Sequence, residues 1–144
     1  MELKAVPTNV YSSSDPGNPD TSYHFYADMQ MHADFFLGID PQGFMLQFVS
    51  WEIAQKANNW AGRNVVRWAN GEYDRLLREA ESELDPVKRA ALFIRMNDLV
   101  IEDVAVIPTV WLHDVSAVSH SLRGLALGPW ASRLWNLAYW YRET

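Results

Sequence analysis

Hydrophobic and polar positions change period several times along the chain. From Phe25 they alternate: Phe25, Ala27, Met29, Met31, Ala33 and Phe35 fall on one side, and Tyr26, Asp28, Gln30, His32 and Asp34 on the other. Period two over this length predicts a half-buried strand with the first set facing a core. Gly38 to Gly43 ends the alternation. Asp40-Pro41 then has the form of a helix N-cap followed by proline at the first helical position. Behind it, Phe44, Met45, Phe48, Val49 and Ile53 make an apolar face, which predicts a helix from about Pro41 to a point before Asn58-Asn59. Asn70 caps a second predicted helix, whose stripe is Tyr73, Leu76, Leu77, Ala80 and Leu84. Asp85-Pro86 repeats the cap-then-proline signal. A third helix is expected to about Glu102, burying Leu92, Phe93, Met96, Leu99 and Val100.

The remaining segments read less regularly. Glu2 to Tyr11 mixes Leu3, Val6, Val10 and Tyr11 with polar residues and predicts a strand and its exit. Ser12 to Ser22 consists of turn formers and predicts a loop. Asn58 to Asn64 is a second loop. Val104 to Leu112 is a β-branched run broken by Pro108, hence a short strand near an edge or a bend, with Ser116 to Leu122 as an antiparallel partner. The tail from Leu134 to Tyr141 is too apolar to be left in water and is expected to pack against a surface. The whole predicts an α/β fold of mixed helices and short strands.

Length permits one domain with its own core. The 144 residues carry 12 basic and 18 acidic side chains, a formal charge of −6. That sign argues against a nucleic-acid partner. With no cysteine, disulfides, thiolate metal sites and cysteine nucleophiles are excluded. No stretch approaches the roughly 18 apolar residues of a membrane span, and the first residues lack the basic and apolar regions of a signal peptide. Seven Trp, six Tyr and six Phe raise the prospect of a ligand cleft lined by rings.

Candidate chemistry is sparse. His24, His32, His113 and His120 share no metal-ligand spacing, and no metal or other cofactor is expected. The common nucleophile and phosphate-loop motifs are absent. Asp34 and Asp40 are the carboxylate pair that a glycosidase would need, but Asp40 already serves as a cap. The run Arg75, Arg78, Glu79, Glu81, Glu83 reads as a solvated helix face. The loop between Phe36 and Asp40-Pro41 and the loop Asn58-Asn59-Trp60-Ala61-Gly62-Arg63-Asn64 mix aromatic with polar groups, as small-molecule clefts do.

An ordered series runs through the chain: Asp40-Pro41, Asn64-Val65-Val66-Arg67-Trp68, Asn70-Gly71-Glu72-Tyr73-Asp74-Arg75-Leu76-Leu77, Glu79-Ala80, Asp85-Pro86-Val87-Lys88-Arg89, Glu102-Asp103 and Val106-Ile107-Pro108. This series resembles the C-terminal part of the extracytoplasmic peptide-binding proteins of bacterial ABC importers, solute-binding protein family 5. The chain departs from that family at Gly71 and Ala105, where proline is usual. It departs again at Leu37, where dipeptide-binding members carry the aspartate that receives the peptide ammonium.

The resemblance implies a single domain or fragment, residues 1–144, from the C-terminal lobe of a larger two-lobed binding protein of the dipeptide-binding type. The signal peptide and first lobe would then lie upstream. It implies a non-catalytic role: the full-length protein, periplasmic or extracellular and membrane-associated, captures a peptide or similar small solute between its lobes and hands it to a membrane permease. From this lobe the ligand-binding candidates are Asp34, Phe36, Trp60, Arg63 and Asn64. The apolar tail is also a candidate for self-association. A small carbohydrate-binding or carbohydrate-active module is the competing expectation. It would require two carboxylates facing each other about 5–10 Å apart across a groove.

Overall fold

The structure is a computed structural model that describes residues 2–34, 40–110, 115–128 and 134–143. It contains both helix and strand, with helix dominant. Helices α1 (Thr8–Tyr11), α2 (Gln42–Met45), α3 (Gly71–Ser82) and α4 (Pro86–Glu102) precede a two-stranded sheet of β1 (Leu122–Arg123) and β2 (Tyr141–Arg142). The chain forms two compact units. The first holds the described residues of Met1–Asp34 and Gln42–Ile107, and the second those of Phe35–Pro41 and Pro108–Thr144.

In the first unit the two long helices begin where their caps dictate. The Asn70 carboxamide oxygen accepts from the amides of Glu72 (2.9 Å) and Tyr73 (3.2 Å). The Asp85 carboxylate accepts from Val87 (2.9 Å) and Lys88 (3.3 Å), with Pro86 at the first helical position. Helix α4 stops at a left-handed Val104 (φ 54°), whose amide and that of Ala105 turn back to the carbonyls of Ile101 and Val100.

Helices α3 and α4 lie against each other and against α2. Their facing stripes, Tyr73, Leu76, Leu77 and Ala80 with Phe93, Met96, Leu99 and Val100, form one core that Met45, Phe48 and Val49 complete. Tyr73 is fully buried, and its hydroxyl donates to the Met45 carbonyl at 2.7 Å. Its ring meets the edges of Phe48 and Trp68. Burial, aided by the adjacent Asp74 charge, raises the Tyr73 pKa, so the hydroxyl remains a donor.

Four expectations are corrected. Residues 25–34 form no strand. Met29 (69% exposed) and Met31 (83%) face water, while Gln30 is half-buried and donates to the Ser22 carbonyl. Alternation marks a strand only where a neighbouring strand offers a ladder, and this segment has none among the described residues. Glu2 to Tyr11 is likewise not a strand; it ends in the single turn of α1.

The helix from Pro41 is real but short. After α2 the chain continues as tight turns at Leu46–Phe48, Ser50–Glu52 and Lys56–Asn58, with Val49 extended between the first two. After extended Val49, the Asp74 carboxylate accepts from the Ser50 amide (3.0 Å) and hydroxyl at the start of the next turn. The described residues 104–110 form no strand; the Leu112 end lies outside the described residues. Strand β1 pairs instead with the tail, Leu122 opposite Arg142 and Arg123 opposite Tyr141.

The second unit is built by that return of the tail. Asn136, buried, donates to the Gly124 carbonyl at 2.7 Å and accepts from the Trp140 indole at 2.8 Å. Gly124 has φ 81°, and a Cβ there would fall 2.2 Å from the Tyr139 carbonyl oxygen, so only glycine fits. The tail therefore packs on residues 121–128 while Leu134, Trp135, Leu137, Tyr139 and Tyr141 remain more than half exposed.

Two outcomes follow for stability. Asn70→Ala removes the α3 cap and costs about 1 kcal/mol in urea unfolding. Leu84→Ala stays within about 0.5 kcal/mol, because Leu84 lies beyond the end of α3 and is 94% exposed. The acid limb has a specific contributor. Glu72 bonds Arg95 across α3 and α4 at 2.9 Å, and that bond holds its carboxyl below the usual value. The bond stabilises the fold above the unfolded carboxylate pKa and is lost as pH falls through the lower folded value. Glu72→Gln therefore flattens the stability-versus-pH curve below about pH 4.5 without changing its slope near neutrality.

Candidate functional site

The loop from Glu52 to Trp68 carries three of the five candidate residues, and Asn64 organises it. Its backbone bridges the preceding turn in both directions: the Ala54 amide donates to the Asn64 carbonyl (3.0 Å), and the Asn64 amide donates to the Glu52 carbonyl (2.7 Å). Its side-chain amide donates to the carbonyls of Val49 (3.0 Å) and Trp68 (2.8 Å). The residue is fully buried, and its Oδ1 has no hydrogen-bond partner. Close approach of the two strands of this loop explains Gly62, where a Cβ would fall 2.1 Å from the Glu52 carbonyl oxygen.

The tip of the loop is strained. Asn59 (φ 53°) and Trp60 (φ 61°) are both left-handed, a conformation a tryptophan rarely adopts. The Trp60 amide is satisfied by the Gln55 carbonyl at 2.9 Å. The indole is held between two groups. The His24 ring packs on it tilted by 37° with centroids 4.2 Å apart, and the Arg67 guanidinium lies 5.4 Å from its centre.

Arg67 is in turn a clamp. Its Nε donates to Ala54 (3.0 Å), Nη1 to Phe25 (2.9 Å), and Nη2 to Tyr23 (3.3 Å) and His24, all at carbonyl oxygens. Thr21, buried, bonds His24 Nδ1 at 2.9 Å and fixes the imidazole. The result is a half-buried aromatic surface with an imidazole and a guanidinium at its sides, resting on backbone carbonyls.

The other candidates do not join this surface. Arg63 is exposed, and its guanidinium donates to the Gly43 carbonyl at 2.9 Å, which ties the loop to α2. Asp34 lies on the exposed stretch 31–34. Phe36 lies outside the described residues, as do Leu37 and His113. The loop thus brings Trp60, Arg63 and Asn64 together in sequence but aims them apart: Trp60 at the surface, Arg63 along α2, Asn64 into the interior. Sequence reasoning missed His24 and Arg67. The one available signal was Arg67's place in Asn64-Val65-Val66-Arg67-Trp68, and nothing there shows that its partners lie more than 40 residues upstream.

In the second unit, Val118, Leu122, Leu125, Leu127 and Trp140 line an open groove of about 210 Å³, with Ser116 and Ser119 at its polar margin. Among the described residues there is no group of three His, Asp or Glu side chains able to hold a metal ion. No helix among them is long and apolar enough to cross a membrane.

Two characterised proteins of Bacillus subtilis resemble part of this chain. The dipeptide-binding protein DppE is 30% identical over 66 residues, and the oligopeptide-binding protein OppA is 29% identical over 66 residues. The matched stretch is 46% of this chain and 12% of each relative, so the chain spans a small share of the proteins it matches. No family model matches the sequence, and no solved structure matches it.

The clamp has a measurable consequence. Arg67→Lys keeps the charge but cannot span four carbonyls, so the Thr21–Phe25 segment should loosen from the loop. Limited chymotrypsin digestion should then cut at Tyr23 or Phe25 several-fold faster than in the wild type. An unchanged cleavage rate would mean that Arg67 does not hold the segment.

Proposed function

We propose that this chain belongs to the ligand-binding lobe of an extracytoplasmic peptide-binding protein of an ABC importer. The carrying observation is the similarity to two proteins named for binding dipeptides and oligopeptides. The candidate loop supports the reading. It is a rigid support that holds an aromatic face at the surface, and aromatic walls bury solutes while a few polar groups fix their ends. On this reading Trp60 supplies apolar area to the ligand, and Asn64 holds the loop in shape.

Recognition without turnover follows from that role. The ligand is held by contacts from two lobes, closure selects it, and the loaded protein is read by a membrane permease. The chain is then non-catalytic and works outside the cytoplasm. One wall alone buries only part of a peptide, so affinity of this chain by itself is low.

Titration of the 144-residue chain with dipeptides and pentapeptides, followed by NMR, tests the reading. The expected result is millimolar binding that shifts the Trp60 indole resonance and is reduced several-fold by Trp60→Ala. Hydrolysis of a peptide or glycoside that Asp34→Asn or Asp40→Asn abolishes would overturn it in favour of an enzyme.

A further inference from the structure

Outside the Trp60 loop, metal-ligating side chains of an unusual kind gather at Met29, Met31 and His32. Methionine is among the residues most often fully buried, and Met45 and Met96 are buried in the core of the first unit. Met29 and Met31 are instead 69% and 83% exposed. The residue between them sets their direction. Gln30 turns inward and donates to the Ser22 carbonyl at 3.4 Å, so its two neighbours project outward. In an extended chain alternate residues share a side, with Cα atoms about 7 Å apart. Two unbranched thioethers, each with three rotatable bonds, can converge on one ion across that span.

His32 adds a third donor. The residue is exposed, its ring contacts Tyr11 at 5.9 Å between centroids, and neither ring nitrogen has a hydrogen-bond partner among the described residues. The His24 ring, by contrast, has its Nδ1 taken by Thr21. The backbone is free to follow the ligands. Residues 26–33 make no backbone-to-backbone hydrogen bond with another described residue, so wrapping an ion breaks none. Asp28 and Asp34 flank the three donors in a stretch, 27–34, that contains no Lys or Arg, which favours a cation.

We propose that Met29, Met31 and His32 bind one soft monovalent cation, Cu(I). Thioether sulfur is a neutral, polarisable donor that selects Cu(I) over hard divalent ions, and imidazole suits copper as well. The His, Asp and Glu side chains among the described residues form no group of three able to hold a metal ion by themselves. The two thioethers therefore decide which ion is taken. With no cysteine in the chain, no thiolate competes for it. The site shares no residue with the Trp60 surface and does not rest on peptide binding.

Titration of the 144-residue chain with Ag(I), a redox-stable ion of the same softness, reads the site through NMR of the methionine ε-methyl and histidine ring signals. The expected result is saturation at a single equivalent. The Met29 and Met31 methyls and the His32 ring should shift together, while the methyls of buried Met45 and Met96 stay in place. Cu(I) kept reduced by ascorbate should move the same signals, and Zn(II) should leave the methyls unmoved. Met29→Leu and Met31→Leu should each weaken Ag(I) binding at least about tenfold, since loss of even an outer-shell partner of a metal site costs that much. His32→Gln should weaken it as well. All three residues are exposed, so the helical circular dichroism should not change. An Ag(I) affinity unchanged in Met29→Leu and Met31→Leu would overturn the proposal, because a histidine or Met1 would then be the ligand. Methyl shifts that grow without saturating would overturn it too, since they would report scattered weak contacts.

Discussion

Asn64 is the residue on which the arrangement of the first unit depends. A carboxamide sealed from water must spend its hydrogen bonds inside the protein or lose stability. Here its two N–H donors bind the carbonyl oxygens of Val49 and Trp68, and its backbone closes a bridge with Glu52 and Ala54. Four points of the chain between Val49 and Trp68 are thereby fixed to one side chain and its peptide. Val49 belongs to the helical core, and Trp68 packs on Tyr73 and donates to Asp103. The loop is therefore not appended to the core but tied to it at both ends. Its strained tip persists because the base cannot yield.

The parts of the fold that were legible in the sequence are those whose causes are local. Asn70 and Asp85-Pro86 start helices through bonds to residues two and three positions on. The stripes of α3 and α4 repeat every three or four residues and face each other directly. The parts that were not legible depend on distant partners. The alternation from Phe25 satisfies every local test for a strand, yet no strand pairs with residues 25–34 among the described residues. Helix α2 gives way to turns after Met45, and Asp74, more than twenty residues later, takes the amide of Ser50. Leu84 continues the apolar spacing of α3 after the helix itself has ended.

The candidate site divides in the same way. Trp60, Arg63 and Asn64 stand out in the sequence as aromatic and polar residues in a loop. Proximity in sequence does not give direction, and these three point to the surface, along α2 and into the interior. His24 and Arg67 were invisible because their roles exist only once residues 21–25 are brought against the loop. Under the proposed binding role, the Trp60 ring, already held by His24 and Arg67, would meet a solute with less conformational entropy left to lose on binding.

Native-state hydrogen exchange at the amides of Ala54 and Asn64 tests the central claim most directly. These two amides form the bridge that Asn64 closes. Because that bridge is tied to the helical core, they should open only with the core, with protection equal to that of buried α3 and α4 amides such as Leu77 and Met96. In Asn64→Ala the same amides should exchange orders of magnitude faster while the helices stay protected. Fast exchange at Ala54 and Asn64 in the wild-type chain, with the helices fully protected, would show that the loop opens independently and that Asn64 does not hold it.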